Sequence, residues 1–132
     1  MGYGGLGGAL PQAIGAKLAC PGRSVVCVIG DGGFQFTATE LAVAVQERVP
    51  ITILLCNNST YGAIRAGQDR HFGGRRFGSS LVNPDFQQLA AAYGIPAQRV
   101  DSPANLDAVL GPAVQSQKLN LIECTIDLAD PP

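Results

Sequence analysis

Apolar positions along this chain fall into two kinds of run, and the two alternate. Residues 24–29 (SVVCVI), 51–56 (ITILLC), 97–100 (AQRV) and 119–126 (LNLIECTI) are short, mostly continuous and rich in β-branched side chains. Runs of that length without polar alternation predict strands covered on both faces, as in a parallel sheet. Between them the spacing changes to that of helices. Residues 10–19 place Pro11 in a first turn and Ile14 and Leu18 at i, i+4. Residues 37–46 open on Thr37 and Glu40 in capping-box spacing, with Leu41 and Val45 following. Residues 85–93 follow an Asn-Pro-Asp start and stop at Gly94, where a helix would need a left-handed residue. Residues 104–117 carry Leu106, Val109, Leu110 and Val114 on one face, with Gly111-Pro112 predicting a kink or break.

The order α-β-α-β-loop-α-β-α-β predicts one α/β domain, doubly wound, with a mostly parallel sheet and helices on both faces. Residues 60–83 read as one long irregular segment, a length usually reserved for function. The glycine-rich lead-in to the first helix has no strand before it, so the chain reads as though it opens inside a domain.

Composition refines this picture. At 132 residues the chain can bury a core without staples. Charged residues are 14%, against roughly 25% in an average domain, which predicts a surface partly covered by other protein. A formal net charge of −1 offers no global attraction for nucleic acid or an anionic membrane, and no run is long enough to span a bilayer. The four cysteines form no CxxC pair. Cys27, Cys56 and Cys124 lie in apolar runs, as buried thiols of a cytoplasmic protein would. The opening residues MGYGGLGGALPQ lack the basic start and apolar stretch expected of a secretory signal.

Glycine, at 17 residues, is far above its usual share of about 7% and is clustered. One cluster is Gly30-Asp31-Gly32-Gly33, directly after SVVCVI. In α/β sheets ligands bind at the carboxyl ends of strands, where glycines let backbone N–H groups approach an anion. An aspartate there would repel a bare phosphate, and is explained by a cation between them. The second strand ends on Asn57-Asn58, whose oxygens are the hard neutral ligands Mg²⁺ accepts beside phosphate. The lead-in 2–7 also fits GxGxxG, a dinucleotide fingerprint, but lacks the strand that the fingerprint follows. Arg65, Arg70, His71, Arg75 and Arg76 make residues 65–76 basic, either a solvated loop or a lid able to hold a substrate carboxylate. Gln35 offers a ligand contact or, as the commoner reading, a packing or solvent position.

Gly-Asp-Gly, then 24 residues (33–56), then Asn-Asn resembles the signature of thiamine-diphosphate enzymes. With GGLGGALPQAIGAKLA and NPDFQQLAAAYG, nearly the whole chain is similar to the diphosphate-binding domain of the acetolactate synthase and pyruvate decarboxylase group. That resemblance implies thiamine diphosphate and Mg²⁺ as cofactors. It implies metal ligation by the side chains of Asp31 and Asn58 and the carbonyl of Thr60. Gly30, Gly32 and Gly33 would border the diphosphate, and Tyr61-Gly62 would start a short helix over it. Gly4 would hold the aminopyrimidine, and Leu6 would prop the cofactor into its bent shape. The activating glutamate would come from a separate pyrimidine-binding domain, so no catalytic residue is expected among Glu40, Glu47 and Glu123.

The resemblance further implies a 2-oxo acid substrate, decarboxylation with carboligation, and a homo-oligomer, dimer or tetramer. The chain alone would be inactive and its domain short of its first elements. The alternatives are a non-ligating 2-oxo acid decarboxylase, a non-catalytic scaffold and an NAD(P)-binding module.

Overall fold

The computed structural model of the chain describes residues 5–126. Its elements are α1 (Ala9–Ala19), β1 (Val26–Gly30), α2 (Asp31–Thr37), a 3₁₀ turn (Ala38–Glu40), α3 (Leu41–Gln46), β2 (Thr52–Asn57), α4 (Gly62–His71), α5 (Phe86–Ala92), β3 (Ala97–Val100), a second 3₁₀ turn (Pro103–Asn105), α6 (Leu106–Gln115) and β4 (Asn120–Thr125). The four strands form one sheet in the order β1-β2-β4-β3, and every pair is parallel. The predicted α/β class and the four strands are thus observed.

Right-handed crossovers set which face each helix covers. The chain moves one way across the sheet from β1 to β2 to β3, then steps back to β4. The helices of the outward steps therefore share a face and α6 takes the other. Leu10 and Ile14 of α1, Phe34 of α2, Leu41 and Ala44 of α3, and Phe86 and Ala90 of α5 pack on Cys27, Ile29, Ile53, Leu55 and Leu121. Phe34 and Phe86 meet edge to face at 5.6 Å and 81°. On the opposite face Leu54, Val100, Ile122 and Cys124 pack under Leu106, Val109, Leu110 and Ala113 of α6.

Coverage of both faces fails at β1. Val26 and Val28 are 39% and 60% exposed, because α6 lies over β4 and its neighbours and does not reach the edge strand. Four local expectations also change. First, Thr37 and Glu40 do not form a capping box. The helical turn starts at Asp31, from an extended Gly30, and the Thr37 hydroxyl instead donates to the Gly7 carbonyl at 2.8 Å. Leu41 and Ala44 face the core there, while Val45 is exposed.

Second, in α1 the buried stripe is Leu10, Ala13, Ile14 and Lys17, and Leu18 is left 54% exposed. Lys17 can take the inner position because its Nζ donates to the carbonyls of Pro21 and Arg23 at 2.9 and 2.6 Å while its stem packs. Third, α6 runs through Pro112 without a break, because Gly111 and Pro112 lie on its exposed side, where an unpaired carbonyl is open to water. Fourth, the expected irregular segment 60–83 contains α4. The Asp85 cap is as expected: Oδ1 accepts from the N–H groups of Gln87 and Gln88 at 2.9 and 3.0 Å, and Gly94 has φ +71°.

Candidate cofactor site

β1 delivers its last residue, Gly30, into open space, and the chain turns directly into α2. Asp31, the first residue of that turn, is only 2% exposed. Its Oδ1 accepts from the Gly32 N–H at 2.9 Å and its Oδ2 from Asn83 Nδ2 at 2.7 Å. No ion pair is formed by Asp31 among the described residues. A buried carboxylate with two neutral donors and no cation is costly, and its remaining lone pairs suit a metal ion. No group of three or more His, Cys, Asp or Glu gathers among the described residues. A metal at Asp31 would therefore complete its shell with neutral oxygens, the chemistry of Mg²⁺.

β2 ends on Asn57, and Asn58 begins a tight turn. Asn58 Oδ1 accepts from the Thr60 N–H at 3.1 Å, and Ser59 between them has φ +54°. Thr60 then bridges to Ser80, and Tyr61 caps α4. The Tyr61 ring closes over α2. It lies 6.4 Å from the Phe36 ring, and a methyl group at Gly32 would meet Tyr61 Cδ1 at 2.6 Å. Gly32 is thus required for closeness, not for an unusual dihedral.

Between these two strand ends lies a cavity of about 290 Å³. Leu6, Gly30, Asp31, Gly32, Gly33, Thr60, Tyr61 and Gly62, all anticipated as cofactor contacts, line it together. Asn58 is not in the lining, since its side chain is spent on its own turn. The expectation for Gly4 falls outside the described residues. A larger cavity of about 390 Å³ lies beside Pro96, Lys118 and Asn120, at the opposite ends of the strands, away from Asp31. The donor set fits a metal-bound diphosphate: one buried carboxylate, Thr60 in the same cavity wall, and a glycine-lined approach.

The basic stretch is largely self-occupied. Arg65 donates to Ser80 Oγ at 2.8 Å, and Arg76 grips Asp69 through two bonds of 2.7 and 2.8 Å. The Arg76 hydrogen bond is the chief cause of the lowered Asp69 pKa. His71 and Arg75 are exposed at the end of α4. The cysteines behave as packing residues. Burial pushes the Cys27 thiol up to about 11 and also raises Cys124. Cys56 is raised by burial first, then by Cys124 and Asp31. Cys20 is exposed.

Sequence reasoning missed the polar residues behind the site. Asn83 was visible only as part of a helix start, and Gln35 as a surface residue, yet Gln35 Nε2 donates to Asn83 Oδ1 at 2.7 Å. Glu123 is 2% exposed and pairs with Arg99, its register partner on β3. Two opposite charges inside neighbouring apolar strands were the available signal.

Residues 1–124 match the family described as thiamine pyrophosphate enzyme, C-terminal TPP binding domain. The chain is 36% identical over 130 residues to the probable acetolactate synthase large subunit of Methanococcus aeolicus, covering 96% of this chain and 21% of that one. It is 36% identical to the acetolactate synthase isozyme 3 large subunit of Escherichia coli K12, covering 96% and 23%. Against the acetolactate synthase large subunit of Lactococcus lactis it is 43% identical over 106 residues, covering 80% and 18%. The chain spans about a fifth of the length of these curated relatives. Family and relatives imply thiamine diphosphate, with Mg²⁺ as its usual partner. With the parallel sheet, the glycine-lined cavity and this match over nearly its whole length, the chain belongs to the thiamine pyrophosphate enzymes, as a C-terminal cofactor-binding domain.

Proposed function

We propose that this chain binds thiamine diphosphate through Mg²⁺ as part of an acetolactate-synthase-like enzyme that decarboxylates a 2-oxo acid and joins the product to an acceptor. The observation that carries the reading is Asp31, a buried carboxylate with no cationic partner among the described residues, lining a glycine-rich cavity. The side chains of Asp31 and Asn58 and the carbonyl of Thr60 hold the metal. Asn58 reaches it by giving up one 3.1 Å bond within its own turn. The Gly33 N–H faces the diphosphate, Gly32 borders it with its own N–H held by Asp31 Oδ1, Tyr61 and Gly62 close the α4 side, and Leu6, 51% exposed, offers apolar support.

When bound, the cofactor supplies the electron sink for decarboxylation. This domain's residues anchor it, would hold the Mg²⁺ that offsets its charge, and exclude water from one side. The activating glutamate comes from a pyrimidine-binding domain, and the whole enzyme is a cytoplasmic homo-oligomer. Low charge content and exposed Phe36, Phe72, Phe77 and Val82 support a covered surface. Among the described residues, no helix is long and apolar enough to cross a membrane.

Calorimetric titration of the folded chain with thiamine diphosphate tests this reading. Heat is expected with Mg²⁺, to vanish with EDTA, and to vanish in Asp31→Ala. Equal heat in EDTA overturns the metal role. Indifference of the Asp31→Ala variant would favour a scaffold, and binding of NADH without Mg²⁺ would favour a dinucleotide module.

A further inference from the structure

A continuous line of hydrogen bonds crosses the carboxyl edge of the sheet, from β3 through β4 and β2 to the end of β1. Arg99 donates through Nε and Nη2 to Glu123 Oε2 at 3.1 and 3.0 Å. Glu123 Oε1 accepts from Asn57 Nδ2 at 2.7 Å. Asn57 Oδ1 accepts from Asn83 Nδ2 at 2.8 Å, and the same amide nitrogen donates to Asp31 Oδ2 at 2.7 Å. Gln35 holds the other end of that amide, donating to Asn83 Oδ1.

The polarity of this line is set by its chemistry. A guanidinium only donates and a carboxylate only accepts. Glu123 therefore requires the NH₂ of Asn57, and the Asn57 oxygen, which also accepts from the Ser59 N–H at 3.1 Å, is turned toward Asn83. That oxygen requires the NH₂ of Asn83, and so a donor is also presented to Asp31. Flipping either amide would set oxygen against oxygen. Asn83 is not held by apolar packing of its neighbours: Val82 is 98% exposed and Pro84 is exposed. The Leu81 N–H, bonded to the Ser59 carbonyl at 2.8 Å, brings the segment to the site, and the polar groups Asn83 bridges, 52 residues away at Asp31 and 26 at Asn57, orient its side chain.

We propose that Asn83 is a positioning residue for Asp31 as a metal ligand, its amide oriented by Gln35 and, through Asn57, by the Glu123–Arg99 pair. One bond to Oδ2 and the Gly32 N–H on Oδ1 fix the plane of the carboxylate and leave each oxygen a free lone pair. The inference rests on the metal reading proposed above.

The test measures Mn²⁺ affinity of the full chain at saturating thiamine diphosphate, from the paramagnetic resonance of free Mn²⁺, beside the melting temperature without ligand. Loss of a partner that orients a metal ligand weakens the metal by about 10-fold or more, the effect expected of Asn83→Ala. Glu123→Gln, which keeps shape and leaves the Ser59 N–H alone to fix the Asn57 amide, is expected to weaken Mn²⁺ by a smaller factor. Gln35→Ala, at an exposed position, is expected to weaken it about 2–3-fold with no change in melting. At saturating Mn²⁺ the Asn83→Ala chain regains wild-type affinity for thiamine diphosphate. A purely structural role would lower the melting temperature and leave Mn²⁺ affinity unchanged, which overturns the proposal. If Asn83→Ala does not fold, Gln35→Ala decides, and an unchanged affinity there overturns it. Wild-type chain that binds no Mn²⁺ while folded overturns the metal reading itself, and this inference with it.

Discussion

The two walls of the cofactor cavity are built in different ways. One wall is the turn from β1 into α2. Asp31 and Gly32 there stand one turn ahead of Phe34, which is fully buried and locked edge to face against Phe86. The other wall is the start of α4, a helix with no buried residue. That helix is fastened by polar ties: the Thr60–Ser80 bridge, Arg65 to Ser80, Gln68 to the Phe77 carbonyl, and the Arg76–Asp69 pair. Exposed hydrogen bonds and surface ion pairs contribute little each, whereas buried aromatic contact contributes several kcal/mol. The difference assigns the buried Asp31 carboxylate to the stable half of the molecule and leaves the wall over it as the part that opens at low cost.

Hydrogen exchange tests this contrast most severely. Amides of β2 should exchange only on global unfolding and those of α4 through local opening. A difference on the order of a thousandfold or more is expected. Equal protection of the two would break the comparison. Next in size is Phe34→Ala, which should cost about 3–5 kcal/mol, read from urea denaturation, because it opens a cavity under the Asp31 turn. No single side chain of α4 should cost as much.

Gly32→Ala sits where the walls meet. Its methyl must displace the Tyr61 ring, so a loss of about 1–3 kcal/mol is expected, with metal-dependent cofactor binding lost alongside. Retained binding would show that the α4 wall yields without consequence. The smallest effect concerns pH. The Gln88 N–H, with that of Gln87, holds the Asp85 carboxyl below its ordinary value of 3.8. A group so depressed stabilises the fold fully above the unfolded pKa and loses that contribution as pH falls through the lower, folded one. Thermal melts of Asp85→Asn and wild type should therefore differ less as pH drops below about 3.8 than at neutral pH.

The two walls were also unequally legible in the sequence. The β1–α2 wall was written in order: an apolar run, then Gly-Asp-Gly, with Asn-Asn after the next run. Burial of a strand and exposure of its last residue are local properties, so adjacent letters carry them. The α4 wall carries no helical signature in the sequence because its helix buries no residue, and periodicity reports only helices that pack. The Thr37-x-x-Glu40 spacing misled for a related reason. It is a valid local signal, but Gly7, 30 residues earlier, takes the Thr37 hydroxyl.

By itself the sequence determined the α/β alternation, the parallel character of the sheet and the glycine and aspartate of the candidate cofactor site. Each depends on residues within one element or at its end. Tertiary structure alone decided that α6 leaves Val28 uncovered, that Asn58 turns into its own loop, and that Asn83 and Glu123 stand behind Asp31. Those facts depend on strand order and register, which bring side chains distant in sequence within hydrogen-bond reach. Runs of letters encode how much of each residue is buried, and only the assembled sheet decides against what.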